Sequence, residues 1–392
     1  MKKVFVGIFI VIIIFFIYFF IDLNKNKIAF QEVNIEIEEN DNNSITVHNG
    51  VELVKALEND NIEIIEIAND IDLGYNVVNI KSKYLDCHNK PLTHPILKET
   101  GVSKLNIKNK ENLIIYSKNG YRLLHTNIRI TNSKNIKIDN LKFEELWEWD
   151  EESEARYEIN DWDYITIINS ENIQIKNCEF SKSYDGITDI KDSKNVTIEY
   201  CRYNEMDIND PFFSKQFDEL EENINNYPMY KFLREDVGLS IDKIKELSKF
   251  QFKLYLIQPK EKDGKNENII IHDGLYLNVK TRIPNARNSS VYLYNIYFDA
   301  SKINYDMITK KEFHKIDDKY PKMVALSSYG PISLDRSYIV IENSFFNVKH
   351  LYTTHYEIKW SNYGKIIVNK ELDDANKLKD KLEKETGNKN YE

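Results

Sequence analysis

Residues 161–201 read DWDYITIINSENIQIKNCEFSKSYDGITDIKDSKNVTIEYC, and one short pattern occurs in them twice. Asn172-Ile-Gln-Ile and Asn195-Val-Thr-Ile each set an asparagine before residues that alternate between apolar and polar. Period-two alternation marks a strand with one buried face. Working outward, the pattern recurs at Asn112-Leu-Ile-Ile, Asn135-Ile-Lys-Ile and Asn268-Ile-Ile-Ile, with weaker copies at Ser290-Val-Tyr-Leu and Tyr338-Ile-Val-Ile. Successive intervals are 23, 37, 23, 73, 22 and 48 residues. A unit near 23 residues suits one coil of a solenoid, and no leucine-rich signature accompanies it. The intervals of 37 and 73 then hold one coil plus an insertion, and 48 is close to two coils. The expected fold is all-β, a right-handed parallel β-helix. Ile136, Ile138, Ile173, Ile175, Val196 and Ile198 should stack inward, and the turn asparagines should ladder from coil to coil. A sandwich with regular strand spacing is the competing reading.

A solenoid needs covered ends. Asn49-Gly-Val-Glu52 has the form of a capping box, with Leu53 and Leu57 on one helical face, and predicts an N-terminal capping helix. Leu372, Ala375, Leu378 and Leu382 predict a C-terminal capping helix that stops near Gly387. The interval of 73 hides a helical insertion over about 205–250, with Ser214 and Ser240 as starts of short amphipathic helices. The expected organisation is a signal anchor or signal peptide at 1–22, a linker at 23–44, a β-helix domain at 45–365 and a helical tail at 366–392.

Residues 4–20, VFVGIFIVIIIFFIYFF, carry no charge and follow Lys2-Lys3. The run is long for a cleaved signal, no Ala-x-Ala follows, and it reaches the length that spans a bilayer. An uncleaved anchor and a processed signal peptide both fit, and either exports the rest of the chain, expected to act as a monomer. A net charge of −10 argues against nucleic acid and allows an anionic polysaccharide only where local cations reverse the field. Cys87, Cys178 and Cys201 are too few for a disulfide framework. Cys178 and Cys201 should stack in neighbouring coils, as buried thiols or as one disulfide.

The same stretch holds Asp161, Asp163, Asp185 and Asp189, with Asp185 lying 22 residues after Asp163. At one coil per repeat these acids stack on one face. Carboxylates that close push each other toward protonation unless a cation intervenes, and hard oxygens suit calcium. Asp163 lies 9 residues before Asn172, Asp185 lies 10 before Asn195, and Arg282 lies 8 before Ser290. All three therefore belong to the same side of their coils. At ~4.8 Å per coil they span about 14 Å, a groove for an extended polymer.

With these residues in view, the chain resembles the pectate lyase family. The stretch 161–201 looks like its calcium-binding core, and KLYLIQ at 253–258 is similar to its Lys-x-x-Leu-Ile-Gly strand. RIPNAR at 282–287 fits its Arg-x-Pro-x-x-Arg segment, and SYIVIENSFFNV at 337–348 resembles a late coil. The resemblance implies Asp163, Asp185 and Asp189 as calcium ligands, with Asp161 assisting. It implies Arg282 as the catalytic arginine, Lys253 as the lysine of the catalytic and substrate-binding motif, and Arg287 as the arginine that engages a substrate carboxylate. The implied activity is a calcium-dependent β-elimination that cleaves polygalacturonate. Two departures stand out. The family's Trp-Ile-Asp-His-Cys is Gln174-Ile-Lys-Asn-Cys178 here, and the histidine expected two residues before the lysine is Gln251.

Other readings remain open at the level of sequence. Arg282 suits a base or an electrostatic clamp. Trp147, Trp149 and Trp162 suit sugar stacking or core packing, and the acidic run Glu144 to Glu158 reads as a solvated insertion or a source of added calcium ligands. A glycoside hydrolase on the same fold would need a carboxylate pair and a water, and leaves Arg282 and Arg287 unexplained. A non-catalytic polysaccharide-binding surface protein would use calcium structurally. No His-x-x-x-His or Gly-x-Ser-x-Gly is present, so zinc and serine-hydrolase chemistry have no support.

Overall fold

The computed structural model describes residues 29–390, apart from 39, 41, 89–90, 156–158, 250–251, 262, 303–307, 321–329, 349–350, 352–362, 371 and 373. The apolar run at 4–20 and Gln251 lie outside the described residues. Among the described residues, no helix is long and apolar enough to cross a membrane.

Twenty-three strands are described, and every pairing between them but one is parallel. They form three ladders that run along one axis. In the first, Lys134–Asp139, Glu171–Lys176, Lys194–Glu199 and Asn266–Leu277 pair in sequence order, as does Ser289–Asp299 after them. The second runs Ser103–Lys108, Thr126–Thr131, Ile165–Ile168, Thr188–Lys191, Tyr255–Ile257 and Asn285–Arg287. The third holds the short strands that follow each first-ladder strand, such as Lys142–Glu144 and Glu179–Phe180. This is a right-handed parallel β-helix, the hand that parallel crossovers take.

The turn between the second and first ladders shows why the repeat reads as it does. Asn112, Asn135, Asn172, Asn195 and Asn268 all have φ between 54° and 58°. Asparagine tolerates this left-handed region better than most residues with a Cβ. Each side-chain amide then donates to the one before it: Asn135 to Asn112 at 2.8 Å, Asn172 to Asn135 at 2.9 Å, Asn195 to Asn172 and Asn268 to Asn195 at 3.0 Å. Inside, Ile136 stacks on Ile173 and Val196, and Ile138 on Ile175 and Ile198, all at most 1% exposed. All three cysteines are thiols, with Cys178 and Cys201 buried.

The 48-residue interval differs from expectation. Ser290 pairs directly with Tyr338, so the interval is one coil with an insertion that carries the helix Lys310–Lys319. The 73-residue interval is also one coil, since Lys194 pairs with Glu267. Its insertion begins with the helix Pro211–Glu222, capped by Asp210 and not by Ser214. Asp210 accepts from the Phe212 N–H, and Pro211 takes the first helical position, where its missing N–H costs nothing. Ser240 does cap the helix Ile241–Lys249, accepting from Lys243 N–H.

The acidic run is not a solvated insertion. Glu148 and Asp150 are buried, and Trp147 packs on Phe213 of the inserted helix with ring centroids 4.5 Å apart. Burial, with Asp150 nearby, pushes the Glu148 carboxyl up to about 8, against hydrogen bonds from Thr93 and His94. Trp147, Trp149 and Trp162 are all core residues.

The helix Gly50–Glu58 starts at the Asn49 cap, with Glu52 accepting from His48 N–H in return. The helix Ala375–Glu385 lies along the flank. Leu378 and Leu382 pack on Leu275 and Tyr297, and Lys381 reaches Asp273. Beyond it, Gly387 N–H donates to Tyr200 and Asn388 to Gly120, so this tail follows several coils lengthwise. Part of the expected linker is docked too. Val33 and Ile35 N–H groups donate to Thr197 and Gln174, which gives Gln174 a structural partner.

Candidate active site

Asp163 immediately precedes the Tyr164 that leads into strand Ile165–Ile168, and Asp185 stands before Thr188–Lys191. Lys253 and Arg282 stand in the same way before Tyr255–Ile257 and Asn285–Arg287. Backbone bonds tie these lead-in segments into a stack. Asp185 N–H donates to Trp162, Lys253 N–H to Asp185, and Tyr255 N–H to Arg282. The coil period thus converts separations of tens of residues into neighbours. Arg282 adopts φ 69°, a left-handed backbone rare for a long side chain.

Side chains converge above this stack. Lys253 Nζ lies 2.5 Å from Asp185 Oδ1, and Arg282 Nη1 lies 3.6 Å from the same oxygen. Lys191 Nζ holds Asp189 Oδ2 at 2.9 Å. Arg282 and Lys191 keep 21% and 20% of their side chains exposed, against 2% for Asp189, so these two cations reach solvent. Asp161 is exposed at the edge, close enough to act electrostatically on Asp163 and Lys191. Arg287 is exposed at the end of its strand, and the structure does not bring it into this cluster.

Gly186 has a specific reason to be glycine. A Cβ there would stand 2.3 Å from Asp163 Oδ1, so the carboxylate packs where a side chain would begin. Sequence reasoning missed this close approach, and it also missed Lys191. Lys191 was findable: it lies two residues after Asp189 on one strand and therefore on the same face.

The charges do not cancel evenly. Burial pushes Asp163 well above the usual carboxylate range, and Asp189, Asp185 and Asp161 add to it against Arg282. Burial also raises Asp185, but Lys253 and Arg282 outweigh it and hold its carboxyl low. Asp189 stays raised by burial despite Lys191. Burial and Arg282 lower the Lys253 ammonium, against Asp185. Next to it, burial and the Lys253 charge bring Lys280 down to about 7.

Among the described residues, no three His, Cys, Asp or Glu side chains stand close enough together to hold a metal ion as they are. The donor chemistry nevertheless suits a hard divalent cation. Asp163 Oδ1 and Asp189 Oδ1 are buried oxygens with no hydrogen-bond partner, and such groups cost free energy until something satisfies them. Lysines and an arginine balance the remaining oxygens.

A solenoid groove lined by buried acids and half-exposed cations is the setting of a β-helix enzyme for an acidic polysaccharide. No protein-family model matches the chain. Pectate lyase B of Paenibacillus amylolyticus is 36% identical to it over 308 residues, covering 76% of this chain and 78% of that protein. A solved pectate lyase of Paenibacillus sp. 0602 superposes with a TM-score of 0.67 at 26% identity, over 88% of this chain and 90% of the other. A Bacillus subtilis pectate lyase shares the fold, at 15% identity and a TM-score of 0.51 over 90% and 94% of the two chains. The chain belongs to the pectate lyase family and is a polysaccharide lyase.

Proposed function

We propose that the protein cleaves polygalacturonate by calcium-dependent β-elimination in the groove over Asp163, Asp185, Asp189, Lys253 and Arg282. The observation that supports this reading best is the pair of buried, unpartnered oxygens on Asp163 and Asp189 beside the Arg282 guanidinium. These two acids, with Asp185 and Asp161, would hold calcium. Calcium bound there would supply Lewis-acid polarisation of a uronate carboxylate, which acidifies the adjacent C5 proton.

The chain's own residues do the rest. Arg282, half-exposed to the groove, takes the C5 proton in its neutral form. The electron pair left behind forms the C4–C5 double bond as the C4–O bond breaks, and the leaving oxygen takes a proton from water. Lys253 stands against Asp185 where it attracts a substrate carboxylate. Arg287, at the end of the strand that follows Arg282, offers a second carboxylate contact of the forked kind arginine makes well. The 3.6 Å approach of Arg282 to Asp185 supports a second role, in which Arg282 clamps the developing negative charge. The apolar run at 4–20 supports export, so that the enzyme meets its polymer outside the cell.

Incubation with polygalacturonate tests this reading through the ultraviolet absorbance of unsaturated uronate ends. A calcium-dependent rise that a chelator abolishes is expected. Reducing ends without that absorbance would favour a hydrolase, and binding without either product a surface protein.

A further inference from the structure

The second ladder continues past the acids toward the N-terminus, and its outward face changes character there. Thr166 pairs with Asp189 on one side and Arg129 on the other, and Arg129 pairs with Asn106. In the neighbouring column, Lys191 is followed by Ile168, Thr131 and Lys108. One face of the second ladder therefore joins the Asp189–Lys191 pair to the coils of Arg129 and Lys108. At ~4.8 Å per coil, Arg129 stands about 10 Å from the acids and Lys108 about 14 Å.

At that end lies a cavity of about 870 Å³, lined by Lys81, Lys83, Lys104, Lys108, Arg129 and the carboxylate Asp86, among others. Five cations against one acid is a reversal in a chain of net charge −10. Asp86 is already committed, accepting from Asn106 Nδ2 at 2.8 Å. Among the described residues, Lys81, Lys83, Lys108 and Arg129 have no carboxylate within ion-pair distance. Lys81, Lys83 and Lys108 are exposed, while Arg129 and Lys104 are half-buried in the wall. Like charges gathered on one surface repel one another, and a bound polyanion relieves that repulsion.

We propose that this basic pocket is a remote subsite for the carboxylates of an acidic polysaccharide whose chain also occupies the Asp163–Arg282 site. The coil spacing is close to the length of one pyranose unit, so each coil meets about one sugar. The pocket then engages uronate units about two and three coils from the Asp189–Lys191 pair and strengthens the binding of longer chains. Arg129 supplies a forked contact, and the lysines supply point charges. The inference rests on the lyase reading for its substrate.

The test compares kcat/KM on hexagalacturonate with kcat/KM on trigalacturonate, for the unmodified protein and for the Lys108→Met, Arg129→Met double variant. The preference for the longer oligomer should fall at least about tenfold, since two charge-assisted contacts are lost. Hexagalacturonate binding measured by titration calorimetry in an Arg282→Ala background should weaken to a similar degree. An unchanged chain-length preference with unchanged binding overturns the subsite. Should the double variant fold poorly, exposed Lys81→Gln and Lys108→Gln carry the same test with a smaller shift. Absence of unsaturated product from either oligomer with the unmodified protein would instead overturn the lyase reading. Calorimetry would then decide the pocket alone.

Discussion

Two stacks of side chains run along this β-helix, and they handle the same geometry in opposite ways. Along one turn, Asn112 to Asn268 repeat a neutral amide that donates to the previous coil and accepts from the next. Each neighbouring pair in the run is joined by one such bond. Around the other corner, Asp163, Asp185, Lys253 and Arg282 stack charges of both signs, and buried oxygens of Asp163 and Asp189 remain without a hydrogen bond. The first stack lowers the free energy of the fold. The second holds unsatisfied groups that only binding can satisfy, as functional sites commonly do.

The contrast can be broken most forcefully at Asp185. Asp185→Ala leaves Lys253 and Arg282 buried or half-buried together without their carboxylate. Removing one member of a buried pair costs about 3–5 kcal/mol, to be read from urea unfolding midpoints. A loss well below that would mean that the two cations relax into solvent.

Calcium gives the next effect. Calcium at one hundred times its dissociation constant should stabilise the protein by about 2.7 kcal/mol, seen as a higher melting temperature. The sign of its pH dependence follows from Asp163. Its folded-state carboxyl is raised, so between the ordinary carboxylate range and that raised value the folded protein binds more protons than the unfolded chain. Stability of the chelated protein therefore drops as pH rises through this window. Protons compete with calcium there, and the calcium-induced shift should shrink as the solution is acidified. A shift independent of pH would exclude these carboxylates as the ligands.

The ladder gives a smaller effect. Asn172→Ala strands the Asn195 donor and the Asn135 acceptor and puts alanine at φ 54°. The expected loss is about 2 kcal/mol in the same unfolding experiment, with calcium affinity unchanged.

Much of this was legible in the chain because each coil imposes the same demands. A left-handed turn asks for asparagine, and the strand after it asks for alternation, so Asn172 and Asn195 announce the fold. The acids and Arg282 were legible from their phase against those turns. What lay hidden depends on contacts between distant segments. Glu148 and Asp150 look like surface acids until Phe213 and Phe217 of the insertion cover Trp147 and Trp149. Ser214 looked like the helix start, but the Asp210-Pro211 pair caps earlier and better. Nothing local distinguishes one coil with a long insertion from two coils, which is why the interval before Tyr338 misled. Lys191 and Gly186 owe their importance to the neighbouring coil, and Arg287 has the motif but not the position in the cluster.

The central claim is that the charged stack performs the chemistry and the asparagine stack only the folding. It is tested most directly by the rate of unsaturated-uronate formation per folded molecule in Arg282→Ala and in Asn172→Ala. Arg282→Ala should lose on the order of 10²–10⁴ in rate per folded molecule, the range of a positioned acid–base group. Asn172→Ala should melt lower and keep its rate. An Arg282→Ala protein that retains more than about a tenth of the rate would contradict the account, because a tenfold loss corresponds to only about 1.4 kcal/mol of transition-state stabilisation.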